Sequence, residues 1–589
     1  MFTTYINTGC SPEWLEKYHC FDNNYLINSD ESKVINNQFN GSGIYDNKFV
    51  SNRTDIQNES SNNLNRDEVE ELQFDMRGSL TNYIVNHEKK EIYIIPDPLG
   101  LSIIFYYLSP NLKVFSNSIN EIIKVLERFN ITLTKNIDYL FESLVMGNGG
   151  LKHNPYKEIL ALEPFNFVSV KKNNIHTVTN SKIIDFIQTI SSNENYEDVI
   201  SVAKEDIQKN LKLASEYKNN GLKICQLTGG FDSRLILSSL LNQNLEQEFM
   251  YFCSGKDGTK DKDIAKNLCR HFHLTYTDYS GYVLNRPIES RIDSFLWSLD
   301  YTAGICYEAH GNYKKLDNLI ISGGLGGLYR SVYGLGNEND SATTYYEILK
   351  KQWPMLDTNS SKSIFNKEYL YKFHQNFLDA VKSTMDLGIP EYSVLDFIYL
   401  RYRARYFVGQ ISFYMSSTNP RFDALYSLKG ILMTLFQNQK VRSSNIIGLQ
   451  LMDEFHSTIK LLPFDTNKFN NEYIEMVGVP EVIEFDTNHA LKEFKNYNKP
   501  PIKNTKRIDK SLAEKHLQRA NKMKATLWQV EDEQEARDGL KEVMKNIPSE
   551  TINEVLNKTY LDKILYNQIT NRVDLRRLHT LYRSFLWYY

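Results

Sequence analysis

Thr228-Gly229-Gly230-Phe231-Asp232-Ser233-Arg234 gathers two hydroxyls, two glycines, a carboxylate and a cation within seven residues. Glycines let a backbone approach a polyanion, and the first turn of a helix offers N–H groups that have no intrahelical partner. The apolar run Ile224 to Leu227 stands before the glycines, and Leu235, Ile236, Leu237, Leu240 and Leu241 follow at helical spacing, so the segment reads as strand, turn, helix. Thr228, Gly229, Gly230, Phe231, Asp232, Ser233 and Arg234 are thereby candidate contacts for the phosphates of ATP, with Asp232 the candidate ligand of the accompanying Mg2+. The competing reading of any Gly-Gly pair is a tight connection with no ligand. The other common phosphate cradle, Gly-x-x-x-x-Gly-Lys-[Ser/Thr], is not found around this segment.

A second glycine-rich turn, Ser322 to Gly327, ends the apolar run Leu319-Ile320-Ile321, and Ser254 follows a third run, Phe249 to Cys253. Ser254, Gly323, Gly324 and Arg330 join the candidate nucleotide contacts, with solvent-exposed helix charge the alternative for Arg234 and Arg330. Glu308 and Tyr301, between the second and third runs, are candidate bases for an attacking amine, against ordinary surface or core roles. Asp261 reads as the cap of its own helix.

These residues need strands that end at one edge. The amphipathic stretch Tyr196 to Tyr217 leads into the first apolar run, and helical patterns separate the later ones, which predicts a doubly wound parallel sheet binding ligands at the carboxyl ends of its strands. Beyond residue 340 the pattern predicts helices around 343–356, 367–385, 391–413, 424–438, 445–460 and 508–527 and a helical C-terminus. The first 185 or so residues read as strand-rich: Tyr83-Ile84-Val85, a polar turn, then Ile92 to Ile95 make a hairpin signature. A further pair lies at Ile103 to Leu108 and Lys113 to Ser116, and a last strand at Phe165 to Val170. Residues 28 to 68, rich in Asn, Ser, Asp and Gly, are expected to include a mobile loop.

At 589 residues the chain exceeds one hydrophobic core, and three units are expected: 1–190, 191–500 and a helical extension 501–589. A net charge of −4 argues against a general binder of nucleic acid or anionic membrane. No run of 18 apolar residues occurs and the N-terminus lacks signal-peptide character, so a cytoplasmic protein is expected. The six cysteines have no C-x-x-C spacing, which indicates neither a disulfide framework nor structural zinc.

The order of parts resembles the asparagine synthetase superfamily, in which a class II glutamine amidotransferase domain precedes a synthetase domain of the ATP pyrophosphatase type. The resemblance runs through [Ser/Thr]-Gly-Gly-x-Asp-Ser at Thr228 to Ser233, Phe74 to Gly78, Pro96 to Gly100, Ile104 to Tyr107, Val114 to Ser118 and Glu158 to Pro164. It continues at Ser416 to Leu425 and Leu461-Leu462-Pro463, which look like the helical region that closes over the acceptor. It implies an N-terminal α+β domain of the Ntn-hydrolase kind, then the α/β synthetase sheet, and an ATP-dependent, AMP-forming amide ligase. Residue 2 is Phe where active glutaminases of this class carry Cys, and Pro96 replaces the family's arginine, so glutamine hydrolysis is not expected. In this the chain is similar to β-lactam synthetases and lasso-peptide cyclases, which use another amine. Gly327 and Leu328 stand at the family's acidic positions, leaving Mg2+ one carboxylate short. The expected partner is a small-molecule or peptide acceptor, with no nucleic acid, no membrane and a possible homodimer. The competing classes are a noncatalytic homologue kept as a binding or scaffold protein and a tRNA-modifying enzyme with the same loop.

Overall fold

The computed structural model describes residues 2–9, 13–16, 18–21, 23–28, 37–52, 64–171, 174–190, 195–255, 257–288, 290–309, 311–332, 355–356, 363–495 and 510–589. Twelve strands build the N-terminal part: β1 (Thr3–Thr8), β2 (His19–Phe21), β3 (Asn24–Asn28), β4 (Asn37–Tyr45), β5 (Lys48–Ser51), β6 (Arg77–Asn86), β7 (Glu91–Pro96), β8 (Phe105–Leu108), β9 (Leu112–Ser116), β10 (Leu160–Ala161), β11 (Asn166–Lys171) and β12 (Asn174–Thr179). They form two antiparallel sheets, ordered β10-β8-β9-β1-β3-β2 and β12-β11-β7-β6-β4-β5.

Period-two alternation decides which face each residue serves. Tyr83, Val85, Ile92 and Ile94 point from the second sheet against Tyr5, Leu26 and Phe115 of the first. Their neighbours Leu80, Ile84 and Ile95 point outward, where the helix Arg66–Asp75 covers them with Val69. The far face of the first sheet, with Ile6, Tyr25 and Val114, is covered by the helix Ile119–Arg128. The expected strand pairs at 83–95 and 103–116 and the expected strand at 165–170 are thus present, and that last strand pairs with β12. Within the polar stretch 28–68, β4 and β5 form a paired hairpin on the edge of the second sheet; residues 29–36 and 53–63 lie outside the described ones.

The third sheet is wholly parallel and has the order β17-β16-β13-β14-β15-β18, with β13 (Lys223–Gln226), β14 (Met250–Phe252), β15 (Thr275–Thr277), β16 (Leu319–Ser322), β17 (Arg421–Asp423) and β18 (Lys492–Phe494). One face packs Cys225, Leu227, Tyr251, Tyr276 and Ile321 against the helices Tyr196–Glu216, Phe231–Asn242, Lys260–His271, Leu428–Phe436 and Ile446–Phe455. Double winding would put helices on the other face as well. There, Ile224 and Ile320 meet Tyr279, Tyr282 and Val283 of a loop instead. The helix Arg291–Tyr301 does lie on the return connection from β15 to β16, but its apolar residues Leu299 and Tyr301 pack toward the C-terminal helix and the sandwich. The stretch 416–425, expected among closing helices, contributes β17 because Phe422 is drawn into the sheet core. The helix expected around 343–356 lies, apart from 355–356, outside the described residues.

A helix spanning 394–415 changes to π geometry over Tyr399–Gly409, a wide turn that is rare outside sites under special demand. Here it joins two parts of the molecule. Arg405 donates from Nε to the Gly100 carbonyl at 3.0 Å and from a terminal nitrogen to the Leu162 carbonyl at 2.5 Å, and Gln410 donates to the Leu101 carbonyl. The C-terminal helices Glu533–Met544, Lys558–Tyr566 and Arg572–Tyr588 share one core with Leu140, Phe141 and Leu144 of the N-terminal part and with Phe373 and Phe377. Among the described residues no helix is long and apolar enough to cross a membrane.

Candidate functional site

In the parallel sheet β13 is flanked by β14 on one side and β16 on the other, so the chain reverses its lateral progress there. The crevice outside the carboxyl ends of such strands is where open α/β sheets bind ligands. Leu227 donates its N–H to the Phe252 carbonyl, then the backbone leaves the sheet, turns through Gly229 and Gly230, and enters the helix Phe231–Asn242 with Gly230 at its cap.

The turn is held by its own hydroxyls. The Ser233 Oγ accepts from the Thr228 N–H at 3.0 Å, the Thr228 Oγ1 accepts from the Gly230 N–H at 3.0 Å, and the two hydroxyls are 3.1 Å apart. The Gly229 N–H donates to the Asp261 carboxylate at 3.1 Å. Asp261 therefore does not cap its helix, which starts at Lys260 after Thr259; its carboxylate reaches back to the glycine turn and occupies an N–H that a phosphate oxygen would use.

Asp232 stands in the first helical turn with its side chain one-third exposed (33%) toward the second glycine turn. A Cβ at Gly323 would lie 2.9 Å from the Asp232 Cβ, and one at Gly326 would lie 2.7 Å from its carboxylate oxygen, so glycine at both positions is what lets this carboxylate stand against the turn. Arg330 approaches Asp232 at 3.4 Å and lays its guanidinium over the Phe231 ring at 5.1 Å. Burial pushes the Asp232 carboxyl above its ordinary range, and Arg330 and Lys468 pull it back.

The other candidates separate clearly. The Phe231 side chain is buried in the core against Gly448, so this residue can offer a ligand its backbone alone. Arg234 is fully buried: it donates to the carbonyls of Leu462 at 2.7 Å, Pro463 at 2.7 Å and Ile459 at 3.3 Å, and stacks at 3.7 Å from the Phe464 ring centroid. Its guanidinium is directed at the 459–464 segment, and the expected contact with pyrophosphate gives way to a clamp. Ser254 is exposed at the rim of a cavity of about 510 Å3 that opens past β14 and β15 and is also lined by Cys253, Gly255, Lys262 and Tyr282. Lys262 spans two carboxylates of this wall, Asp278 at 2.8 Å and Asp257 at 3.2 Å.

Tyr301 belongs to the seam between the N-terminal sandwich and the part that carries the parallel sheet. Its hydroxyl is 2.9 Å from the Ser417 hydroxyl and its ring packs on Phe2 and Tyr414, at 6.2 and 5.2 Å between centroids. This surrounding is a core role, not that of a base. Glu308, by contrast, faces the charges of Arg403, Arg421 and Arg583, and burial raises its carboxyl above the ordinary range.

Three residues at the site were not singled out as contacts from the sequence, although Arg421 and Asp423 lie in the stretch Ser416 to Leu425 that carries part of the resemblance. Asp423, buried at the carboxyl end of β17, accepts from the Gly324 N–H at 3.1 Å and from the Ser412 hydroxyl at 2.6 Å. Arg421 donates to the Ser322 hydroxyl at 2.7 Å and to the Ser412 hydroxyl at 2.9 Å. Lys468 pairs with Asp465 at 2.8 Å and contributes positive charge at Asp232, on a segment whose Asp465 N–H donates to the Gly229 carbonyl. The signal for Asp423 was present: like Asp232, it is a carboxylate at the end of a short apolar strand. Lys468 had none, since its nearness depends on how residues 459–469 fold back.

For Mg2+ the candidate ligand is the Asp232 carboxylate, one-third exposed toward the second glycine turn and next in sequence to the Ser233 hydroxyl, while the exposed Asp261 carboxylate is engaged by the Gly229 N–H. That hard-oxygen set suits an ion completing its shell with water and phosphate oxygens. Asp423 does not supply the second carboxylate, because both its oxygens are already engaged, and Leu328, at the family's acidic position, is in the core.

The fold and site together define a mixed α/β protein whose parallel sheet carries a crevice between two glycine turns, with the Asp232 carboxylate partly exposed between them. No protein-family model matches the chain, and no curated protein sequence does.

Proposed function

We propose that the chain is an ATP-dependent, AMP-forming amide ligase of the asparagine synthetase type, acting without glutamine hydrolysis on a carboxylate acceptor and an amine supplied directly. The observation that carries this reading is the Asp232 carboxylate, held between two glycine turns at the switch point of a parallel sheet, with Arg330 and Lys468 beside it. Mg2+ bound at Asp232 would neutralise charge on the phosphates. Thr228, Gly230 and Ser233 would exchange their mutual hydrogen bonds for contacts to the β- and γ-phosphates, and Asp261 would release the Gly229 N–H. Lys468, Lys260 and Arg330 are the cations that can stabilise charge on the departing pyrophosphate. The 510 Å3 cavity behind Ser254 is of a size to take the nucleoside. Glu308, which faces the charge of Arg421, is the group that would take a proton from the amine. Excluding water from this mouth would protect an acyl adenylate from hydrolysis.

The test is pyrophosphate release with Mg-ATP and a panel of carboxylic acids and amines. The expected result is acceptor-stimulated release that Asp232→Ala abolishes, together with calorimetric Mg-ATP binding that the same change weakens. Absence of both release and nucleotide binding would refute the reading in favour of a noncatalytic scaffold, and binding of total tRNA would point to the third class.

A further inference from the structure

A cavity of about 50 Å3 lies between the N-terminal part and the last helix of the chain. Its walls come from three distant stretches: Asn148 after the helix Ile137–Met146, Gly304 and Tyr307 on the return connection, and Arg583, Ser584 and Trp587 of the helix Arg572–Tyr588. The walls are fixed. The Tyr139 hydroxyl donates to the Gly304 carbonyl at 2.9 Å, and Lys135 Nζ donates to the carbonyls of Trp587 and Tyr588 at 2.9 and 3.0 Å. Gly304 has φ +87°, and a Cβ there would stand 2.4 Å from the Trp587 ring, so the close approach that shapes the cavity requires glycine.

Two polar groups line this space, an amide without a hydrogen-bond partner and a guanidinium without an ion pair among the described residues. Asn148 is 4% exposed, and neither its amide nitrogen nor its amide oxygen has a hydrogen-bond partner. Leaving such groups unpaired is unfavourable, so a partner that supplies both a donor and an acceptor stabilises the site. Arg583 donates from Nε to the His579 carbonyl of its own helix at 3.2 Å, and its guanidinium carbon lies 4.5 Å from the Phe295 ring centroid and 4.9 Å from that of Tyr307. Among the described residues no carboxylate forms an ion pair with Arg583. More positive charge lies close by: Arg403 is 3.8 Å from the Phe407 ring, itself 6.2 Å from Tyr307, and Arg576 is near enough to Tyr307 and Arg583 to be felt by both. Glu308 is the one carboxylate that faces this group from the described residues.

We propose that this cavity is a carboxylate-binding site in which Arg583 and the Asn148 amide nitrogen hold the two oxygens. A water could satisfy Asn148 but would leave Arg583, which has Arg403 and Arg576 nearby and Glu308 facing it without an ion pair, with no carboxylate at hydrogen-bond distance among the described residues. A carboxylate accepts from the guanidinium fork and from the amide at once, and its volume matches the space. The Asn148 amide oxygen can then accept from the Ser584 hydroxyl. The carboxylate is either the second acid group of a molecule that enters past Glu308 or a small free acid.

The experiment needs no ATP, so its outcome is separate from that of the ligase reading. Thermal melting of the full chain at pH 7 in sodium acetate is compared with sodium chloride of equal ionic strength, for the wild type, Asn148→Asp, Asn148→Leu and Arg583→Gln. Acetate is expected to raise the wild-type melting temperature by a few degrees and to leave all three variants unmoved. Asn148→Asp carries its own carboxylate opposite Arg583 and is expected to melt at or above the wild type without acetate. An acetate curve identical to chloride in the wild type, or an Asn148→Asp protein that melts below Asn148→Leu, would overturn the proposal. Glutarate then distinguishes the source: a larger shift than acetate, reduced by Arg403→Gln, assigns the site to a two-acid molecule, and equal shifts assign it to a free acid.

Discussion

Replacing Arg234 by Met tests whether this residue is a phosphate contact or a clamp, because the two roles fail in different places. As a clamp it supplies three charge-assisted hydrogen bonds to the carbonyls of Ile459, Leu462 and Pro463 and a stack on Phe464. Three such bonds at about 2 kcal/mol each and a desolvated stack at about 2 kcal/mol favour the closed segment. Against this stands the cost of burying the guanidinium, whose pKa is pushed down to about 9; a change of that size corresponds to about 5 kcal/mol. About 3 kcal/mol remains, and it resides in the apo protein. Arg234→Met removes it while filling most of the volume, so the 459–469 segment should open about a hundredfold more often. Native-state amide hydrogen exchange reads this directly at the Asp465 N–H, whose bond to the Gly229 carbonyl ties the segment to the glycine turn. Weaker Mg-ATP binding follows as a second effect, through the displaced Lys468. If exchange over 459–469 changes less than threefold while Mg-ATP affinity collapses, Arg234 acts on phosphate after all and the clamp argument is wrong.

Asp97 accepts from the N–H groups of Leu101 and Ser102, at 3.0 and 2.8 Å, and from the Tyr426 hydroxyl at 3.3 Å, yet burial pushes its pKa up to about 7. A folded pKa raised above the unfolded one means stability that is full below about pH 4 and is lost as pH rises through 7, by about 4 kcal/mol at most. Urea unfolding should show this decline in the wild type and not in Asp97→Asn, whose stability at pH 4 is lower by about 1–2 kcal/mol for one mispaired N–H. Gly326→Ala puts a methyl 2.7 Å from an Asp232 carboxylate oxygen and 2.6 Å from Leu425, and should cost about 1–3 kcal/mol and weaken Mg-ATP binding. Gly327→Asp, whose Cβ meets Val332 at 3.1 Å as its closest neighbour, should instead fold normally and tighten Mg2+ binding, read by calorimetry. Glu308 carries a raised pKa, so pyrophosphate release should rise with pH through it; Glu308→Gln should remove that acid limb at a lowered rate, and an unchanged profile would assign the proton transfer elsewhere.

Short-range order explains what could be read from residues alone. The strand, turn and helix around Gly229 and Gly230, the β6–β7 hairpin and the helices Tyr196–Glu216 and Lys367–Met385 are each specified by patterns a few residues long, and each is present. Asp232 belongs to this class because its neighbours in sequence are also its neighbours in space. Arg234 was misplaced for a related reason. Two positions after Asp232 it lies on the opposite side of the first helical turn, where α-helical geometry directs it toward the core and a carbonyl-rich turn more than 220 residues later.

What could not be read depends on closure between distant segments. Asp261 reaches Gly229, Asp423 orders Gly324, and Lys468 approaches Asp232 only because β14, β17 and the 459–469 segment converge on the carboxyl ends of β13 and β16. The same convergence gives the nucleotide-free crevice its character. Gly229 and Gly230 already have partners, and Asp232 already has Arg330, so a triphosphate would have to displace these contacts rather than fill open donors. Exchange of this kind costs little when the replaced bonds are neutral or long and the new ones are charge-assisted. The exception is Asp261, a carboxylate on the Gly229 N–H that repels an incoming phosphate. On the proposed function, its departure would couple binding of the phosphates to movement at the start of the helix Lys260–His271, and with it to the wall of the cavity behind Ser254.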